Sequence, residues 1–194
     1  MLVVMGPFYI PVILGSTRRG RQSPRVARFM AERMRRTGRI ETEILDLLDY
    51  NFPIMEERLR FHDDPPPAVR QFSEKLARAD AIVIVTPEYN NGYPGVLKNA
   101  LDYFGPEYKR KPVGIVTVSG GDFGGVNCLA QLRLVMFNLG AFPIPASFPV
   151  PRVQDNFDEE GNPRDPRFEK WAEAFLAELL WLTEAVVAQK ERIP

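Results

Sequence analysis

Three polar, glycine-containing stretches of the chain carry residue types that can hold a ligand. The first is Gly15-Ser16-Thr17-Arg18-Arg19-Gly20-Arg21-Gln22, which runs into Ser23-Pro24 and a helical pattern. Hydroxyls, glycines and an arginine at such a place suit a phosphate, because a helix start offers unpaired backbone N–H groups and partial positive charge. Gly15 and Gly20 have Walker A spacing, but Arg21 and Gln22 stand where Lys and Ser or Thr are required. Magnesium-dependent nucleotide hydrolysis therefore lacks its key side chains, and the Gly-x-Gly-x-x-Gly dinucleotide fingerprint is also absent. The second stretch, from Thr86 through Pro87-Glu88-Tyr89-Asn90-Asn91-Gly92-Tyr93-Pro94 to Gly95, has a backbone course constrained by two prolines and two glycines. Main-chain donors and acceptors held in such a loop can face the edge of a flat heteroaromatic ring. The third, Ser119-Gly120-Gly121-Asp122-Phe123-Gly124-Gly125, permits close backbone approach, with Phe123 placed to touch a ring and Asp122 of undetermined role.

Each stretch needs a strand before it and a helix after it. Residues 9–14, 40–45, 81–86, 113–118 and 144–150 read as strands, the fifth weakened by prolines. The run at 81–86 is apolar without alternation, the pattern of a strand covered on both faces and hence of a parallel sheet. Helices are expected from Ser23 to about Gly38, around Val69, Phe72, Leu76 and Ala79, over 94–104, over 125–139, and from Asp165 to about Lys190. Residues 48–67, rich in proline and containing His62, read as an irregular excursion. Five strands alternating with five helices define an α/β fold with a doubly wound parallel sheet and helices on both faces, in one domain spanning 1–194. Ligands of such sheets bind beyond the carboxyl ends of the strands, where the three stretches fall.

Composition narrows the chemistry. The 194 residues include 25 basic and 25 acidic side chains, one cysteine (Cys128) and one histidine (His62). A single thiol permits no internal disulfide, and the pair is too few for the usual zinc sets or histidine-dependent hydrolases. Cys128 reads as a buried structural thiol and His62 as exposed. The apolar residues 1–5 have no basic region before them and are not read as a signal peptide, and no stretch has the length of a membrane span. The expectation is a cytoplasmic, soluble protein without nucleic-acid or membrane partners. Nine arginines between Arg18 and Arg39 face a lone acid, Glu32. Those from Arg25 onward read as a solvated helix face.

Taken in order, Gly15-Ser16-Thr17-Arg18 with Arg21 and Ser23, then Pro87-Glu88-Tyr89-Asn90, then Pro94-Gly95-Val96-Leu97-Lys98-Asn99-Ala100-Leu101-Asp102, then Ser119-Gly120-Gly121, resemble the NAD(P)H-dependent FMN reductases. That flavodoxin-like family includes quinone, azo-dye and chromate reductases. The resemblance covers residues 10 to about 151 and implies a five-stranded sheet of order 2-1-3-4-5. It also implies that Ser16, Thr17, Arg18 and Ser23, beside Gly15, hold an FMN phosphate. Pro87, Glu88, Tyr89, Asn90, Asn91 and Gly92 would line the edge and one face of the isoalloxazine, chiefly through backbone atoms. Ser119, Gly120 and Gly121 would close the other side. Many relatives have Tyr-Ser at the positions of Asn91-Gly92, so glycine here leaves more room above the ring. Tyr93 reads as packing.

The implied reaction is ping-pong: NADPH, or NADH, gives a hydride to FMN, leaves, and is replaced by a small-molecule acceptor such as a quinone, azo compound, chromate or free flavin. The cofactor carries the chemistry, so no catalytic acid or base is expected. Arg19 or Arg21 at the loop rim would supply the cation for an adenosine 2′-phosphate. A flavodoxin-type electron carrier is the alternative; carriers of that type have a strongly acidic surface, whereas this chain is neutral. A homodimer or tetramer is expected, because the third and fourth helices carry apolar residues, including Tyr103, Phe104 and Phe137, on more than one face.

Overall fold

The computed structural model describes residues 6–192. Residues 1–5, read above as no signal peptide, lie outside that range. In chain order the elements are β1 (Phe8–Tyr9), β2 (Val12–Leu14), α1 (Ser23–Arg36), β3 (Ile40–Glu41), β4 (Ile44–Asp46), α2 (Leu47–Tyr50), α3 (Pro67–Arg78), β5 (Ile82–Pro87), α4 (Gly95–Asp102), β6 (Pro112–Val118), α5 (Val126–Asn138), β7 (Phe142–Val150), α6 (Val153–Asn156) and α7 (Arg167–Arg192). Every residue of β5 and β6 is buried, as continuous apolar runs between two helical layers require.

The main sheet is parallel throughout, in the order β4-β2-β5-β6-β7. Its numbering departs from the expected 2-1-3-4-5 because the first and second strands are each divided in two. Pro11 has no N–H for the ladder, and β1 pairs with β3 as a separate two-stranded piece. The pairing nevertheless continues across the break, with the N–H groups of Ile10 and Val12 donating to the carbonyls of Glu41 (3.0 Å) and Glu43 (2.9 Å). With the halves joined, the second strand of the chain lies beside the first, followed by the third, fourth and fifth.

The fifth strand is not broken by its prolines. Phe142 donates to the Lys111 carbonyl (2.8 Å) and Val150 accepts from Ser119 (2.9 Å), so even-numbered residues face β6 at both ends. Pro143, Pro145 and Pro149 therefore fall where an edge strand's N–H would point outward. A register shift between Val113 and Ile115 accommodates the strand.

One core unites α1 and α7 with Val12, Leu14, Val83, Val85 and Val116; the other unites α3, α4 and α5 with Ile13, Ile82, Ile84 and Ile115. Between α3 and the sheet, the buried Lys111 Nζ donates to the carbonyls of Leu76, Ala77 (2.8 Å) and Ala79 (2.6 Å), closing the end of α3. Three acceptors match the three donors of an ammonium group, although burial lowers the pKa of that group to about 8. The chain leaves β2 first toward β4 and returns to β5 on the other side. Their carboxyl ends diverge there, and the resulting crevice is where the three loops meet.

Candidate flavin site

The loop from β2 to α1 is held tightly at its base. The Gly15 N–H donates to the Val85 carbonyl (2.9 Å), and a Cβ at position 15 would lie 2.9 Å from Leu97 Cδ2, so only glycine fits without displacement. Ser16, expected on the phosphate, is buried with its Oγ 2.8 Å from the Tyr89 hydroxyl, so this side chain braces the first loop against the second and leaves the phosphate to its neighbours Thr17, Arg18 and Ser23. Arg21 is not a free rim cation. Its guanidinium grips both carboxylate oxygens of Asp46, at 2.6 and 2.5 Å, and also donates to the Ser16 carbonyl. Asp46, at the end of β4, further accepts from the Leu48 N–H (2.9 Å). A bidentate pair with a third bond fixes the loop's course and removes Arg21 as a donor to a nucleotide phosphate.

Thr17, Arg18 and Gly20 form the half-buried to exposed rim, and Gly20 has φ +70°. No acidic side chain occupies the first turn of α1 and no side chain caps it. Ser23 is buried, yet its Oγ has no hydrogen-bond partner, and the same holds for Gln22 Oε1. Buried hydroxyls are nearly always satisfied, so Ser23 has bonding capacity that the described residues leave unused, as Thr117 and Tyr108 also have, but of the three only Ser23 lines the cavity between the loops.

The second loop contains a tight hairpin turn. Tyr89 N–H donates to the Gly92 carbonyl (2.8 Å) and Gly92 N–H to that of Tyr89 (3.0 Å). Asn90 and Asn91 sit at φ 51° and 65°, the paired left-handed residues of a type I′ turn, which asparagine tolerates better than most side chains. Gln131 Nε2 donates to the Asn91 carbonyl (2.9 Å) and Asn127 Nδ2 to Asn91 Oδ1 (3.2 Å), anchoring the turn on α5. Glu88 turns its carboxylate to the start of α5, accepting from the N–H groups of Asn127 (2.9 Å) and Cys128 (3.0 Å). Its side chain thus satisfies a helix terminus, leaving backbone atoms of Pro87, Glu88 and Tyr89 toward the crevice.

In the third loop Ser119 Oγ donates to the Gly121 carbonyl (2.8 Å) and accepts from Gly124 N–H (3.1 Å). Gly120 and Gly121 have open space where a Cβ would stand. Arg152, at φ 40°, donates its N–H to the Gly121 carbonyl (2.9 Å) and lies 3.3 Å from Asp122, closing the loop from the end of β7. Phe123 is 79% exposed.

These loops enclose a cavity of 260 Å³ lined by Arg18, Gly20, Arg21, Gln22, Ser23, Pro87, Glu88, Tyr89, Val118, Ser119, Gly120, Val153 and Gln154. Gln22, Val118, Val153 and Gln154 were not singled out from the sequence. Val153 and Gln154 follow β7, and the strand-end rule that marked the other loops applies equally to that one. A cavity of 420 Å³ lined by Arg58, Arg60 and Lys109 among others lies at the amino ends of β6 and β7, away from the crevice.

Other expectations need correction. Arg25 is not on a solvated face: its side chain is only 15% exposed and donates to the Phe157 carbonyl (2.7 Å). Arg33 pairs with Glu169 (2.7 Å) and Arg39 with Glu184 (2.5 Å), because the chain returns α7 and the segment before it onto α1. Tyr103 and Phe104 are buried in an aromatic cluster with Phe52 and Phe72, so they present no face to a partner. His62 is half-buried, its Nδ1 accepting from the Asp64 N–H (3.2 Å). Tyr93 packs half-buried against the second core, as expected. Cys128 is a buried thiol whose pKa is raised to about 12 by burial and the Glu88 charge, so it stays protonated and unreactive.

The residues fit FMN. An unpartnered buried hydroxyl and an uncapped helix start face the cavity, and the exposed Arg18 stands beside them, its guanidinium carbon 5.7 Å from the Tyr89 ring. That set has the donors a terminal phosphate requires, and the open glycines and two fixed backbone turns leave room beside main-chain groups for a flat ring. Fold and site together define a flavodoxin-like oxidoreductase. A profile of the NADPH-dependent FMN reductases matches residues 9–155, and the chain belongs to that family. It is accordingly an FMN-dependent NAD(P)H oxidoreductase. An NAD(P)H-dependent FMN reductase of Schizosaccharomyces pombe is 36% identical over 65% of this chain and 64% of its own length. A quinone reductase of Pseudomonas putida is 31% identical over 81% of this chain and 86% of that one. The solved structure of FerB, a flavoenzyme NAD(P)H:(acceptor) oxidoreductase of Paracoccus denitrificans, superposes with TM-score 0.76 at 24% identity, covering 91% of this chain and 98% of FerB, and shows the shared fold.

Proposed function

We propose that the chain binds FMN with its phosphate on Ser23, Thr17, Arg18 and the N–H groups opening α1, its ring edge on the backbone of residues 87–92, and its far side on Ser119, Gly120 and Gly121. The observation that carries this reading is the buried Ser23 Oγ, without a partner among the described residues, in the 260 Å³ cavity that Arg18 also lines. FMN, when bound, supplies the two-electron chemistry, taking a hydride from a pyridine nucleotide and reducing a quinone, azo compound, chromate or flavin. The protein's part is positional. Ser16 and Tyr89 lock two loops together, the Arg21–Asp46 pair sets the phosphate turn, and the Asn90-Asn91 turn holds main-chain groups at the ring edge. Gly92 closes the turn, with Gln131 Oε1 3.4 Å from where its Cβ would stand, so its lack of a side chain serves the packing of the turn on α5; nucleotide and acceptor use the exposed face of the ring in turn. No side chain is assigned a proton-transfer role. NADPH is the preferred donor in this reading, and the protein works in the cytoplasm.

The active form is a homo-oligomer. Val126, Ala130, Leu134 (71% exposed) and Phe137 (60%) form one apolar stripe along the outer face of α5, next to the exposed Phe123. Such a stripe is covered by a second copy in this reading. Sedimentation at micromolar concentration tests it, a monomer refuting the oligomer.

The experiment for the function is a flavin fluorescence titration followed by turnover. FMN binds more tightly than FAD, and NADPH is steadily oxidised when a quinone or azo acceptor is present. Failure to bind flavin overturns the reading. Flavin binding without NADPH turnover would instead favour a carrier.

A further inference from the structure

Adjoining the flavin cradle along the first loop lies a second cavity of 430 Å³. Five arginines line it: Arg18, Arg19, Arg21, Arg25 and Arg28. Their charges are unevenly answered. Arg21 is neutralised by Asp46. Arg25 and Arg28 donate to the carbonyls of Phe157 and Glu159, which carry no net charge. The one carboxylate lining the cavity, Glu159, has an 85% exposed side chain and stands 3.7 Å from Arg25. Among the described residues, Arg18 and Arg19 have no carboxylate partner. Like charges gathered around one concavity repel each other and raise the local potential, so the arrangement costs stability until an anion enters. The seam arginines farther along α1 show that the fold can supply acids where charge needs only to be neutralised.

The shape of the ligand follows from what adjoins the cavity. It shares Arg18, Gly20, Arg21 and Gln22 with the flavin cradle, so one molecule can reach round the loop from one to the other. Leu48, half exposed on α2, offers the only large apolar contact in its lining, and no aromatic ring is present for base stacking. A phosphorylated ribose is suited to such a wall, and a polynucleotide is not. We propose that this cavity is the subsite for the adenosine 2′-phosphate of NADPH, with Arg19 as the residue that distinguishes NADPH from NADH and Arg28 as its second donor. The inference rests on the flavin-reductase reading of the cradle. Among the described residues the Arg19 side chain makes no hydrogen bond or ion pair, whereas Arg21, two residues on, is committed to Asp46.

Calorimetric titration of the FMN-loaded protein with adenosine 2′,5′-bisphosphate and with ADP tests the subsite directly, because the two probes differ in where the second phosphate sits. The bisphosphate should bind at least tenfold more tightly, by an amount that shrinks with added salt. Arg19→Ala should abolish that preference and leave FMN affinity unchanged. In turnover it should lower the NADPH to NADH ratio of kcat/KM at least tenfold, through the KM for NADPH rather than kcat. Arg28→Ala, placed on the helix and outside the loop, should reduce the preference in the same direction. Equal binding of the two probes by the parent, or an undiminished preference in Arg19→Ala, overturns the proposal. If the protein fails to quench FMN fluorescence, the flavin reading is refuted, and the same two probes titrated into the flavin-free protein then decide the subsite alone, discrimination supporting it and equal binding overturning it.

Discussion

The first loop and the body of α1 contain the same residue type in nearly unbroken supply, and the fold uses it in opposite ways. Arg18 and Arg19 are exposed and without acidic partners among the described residues. Arg25, Arg33 and Arg39 instead grip the Phe157 carbonyl and the acids of α7, more than 130 residues away in sequence, while Arg28 serves both sides, bonded to the Glu159 carbonyl and lining the arginine cavity. The difference lies in what each stretch faces. The loop opens on cavities at the carboxyl end of the sheet, while α1 is the surface onto which α7 folds back. An arginine's role here is set by the element opposite it and not by its own neighbours in the chain. Arg21 marks the boundary, since it belongs to the loop by position and to the framework by its bonds.

The largest effect is expected at the seam between α1 and the segment that precedes α7. Gly161 has φ +95°, and a Cβ there would lie 2.5 Å from the Arg25 carbonyl oxygen. Gly161→Ala should destabilise the fold by about 2–4 kcal/mol in denaturant unfolding, through backbone strain and displacement of α1, with FMN affinity of the folded protein unchanged. A loss of FMN affinity at full stability would reverse the roles of seam and loop.

Arg21→Met tests the boundary. Removing the guanidinium leaves the Asp46 carboxylate with only the Leu48 N–H and the Ser16 carbonyl without its arginine donor, which should cost about 2 kcal/mol of stability, and FMN affinity should fall several-fold as the loop loses its brace. Stability and affinity must change together; either alone would place Arg21 wholly on one side. Arg33→Ala should cost about 1 kcal/mol, limited by the partial exposure of its partners, and leave flavin binding alone. The smallest effect belongs to Arg36, whose exposed pair with Glu32 four residues earlier (2.9 Å) should contribute about 0.3–0.5 kcal/mol. Unfolding midpoints of the two variants, measured side by side, check the order.

How much of this was legible in the sequence follows from the same contrast. Strands such as Ile82–Pro87 announce themselves through uninterrupted apolar residues, and the loops follow from where those strands end. The phosphate character of the first loop is local chemistry, and so is readable. The partners of Arg25 and Arg33 are not, because nothing in residues 18–39 records that Phe157 and Glu169 will stand opposite. Ser16 presents the same limit: its hydroxyl meets Tyr89, 73 residues later, through a contact made only when two strand ends lie side by side. The Asn90-Asn91-Gly92 turn was readable in principle, since paired asparagines accept positive φ, but the flanking prolines drew the reading toward a rigid loop of unspecified shape.

Whether the first loop holds a flavin phosphate through Arg18 is decided by fluorescence titration of Arg18→Ala with FMN and with riboflavin. A lost charge-assisted hydrogen bond of about 1.5–3 kcal/mol should weaken FMN binding about 10- to 100-fold, while riboflavin, which lacks the phosphate, binds variant and parent alike. An unchanged FMN affinity, or an equal loss for both flavins, would contradict that role of Arg18.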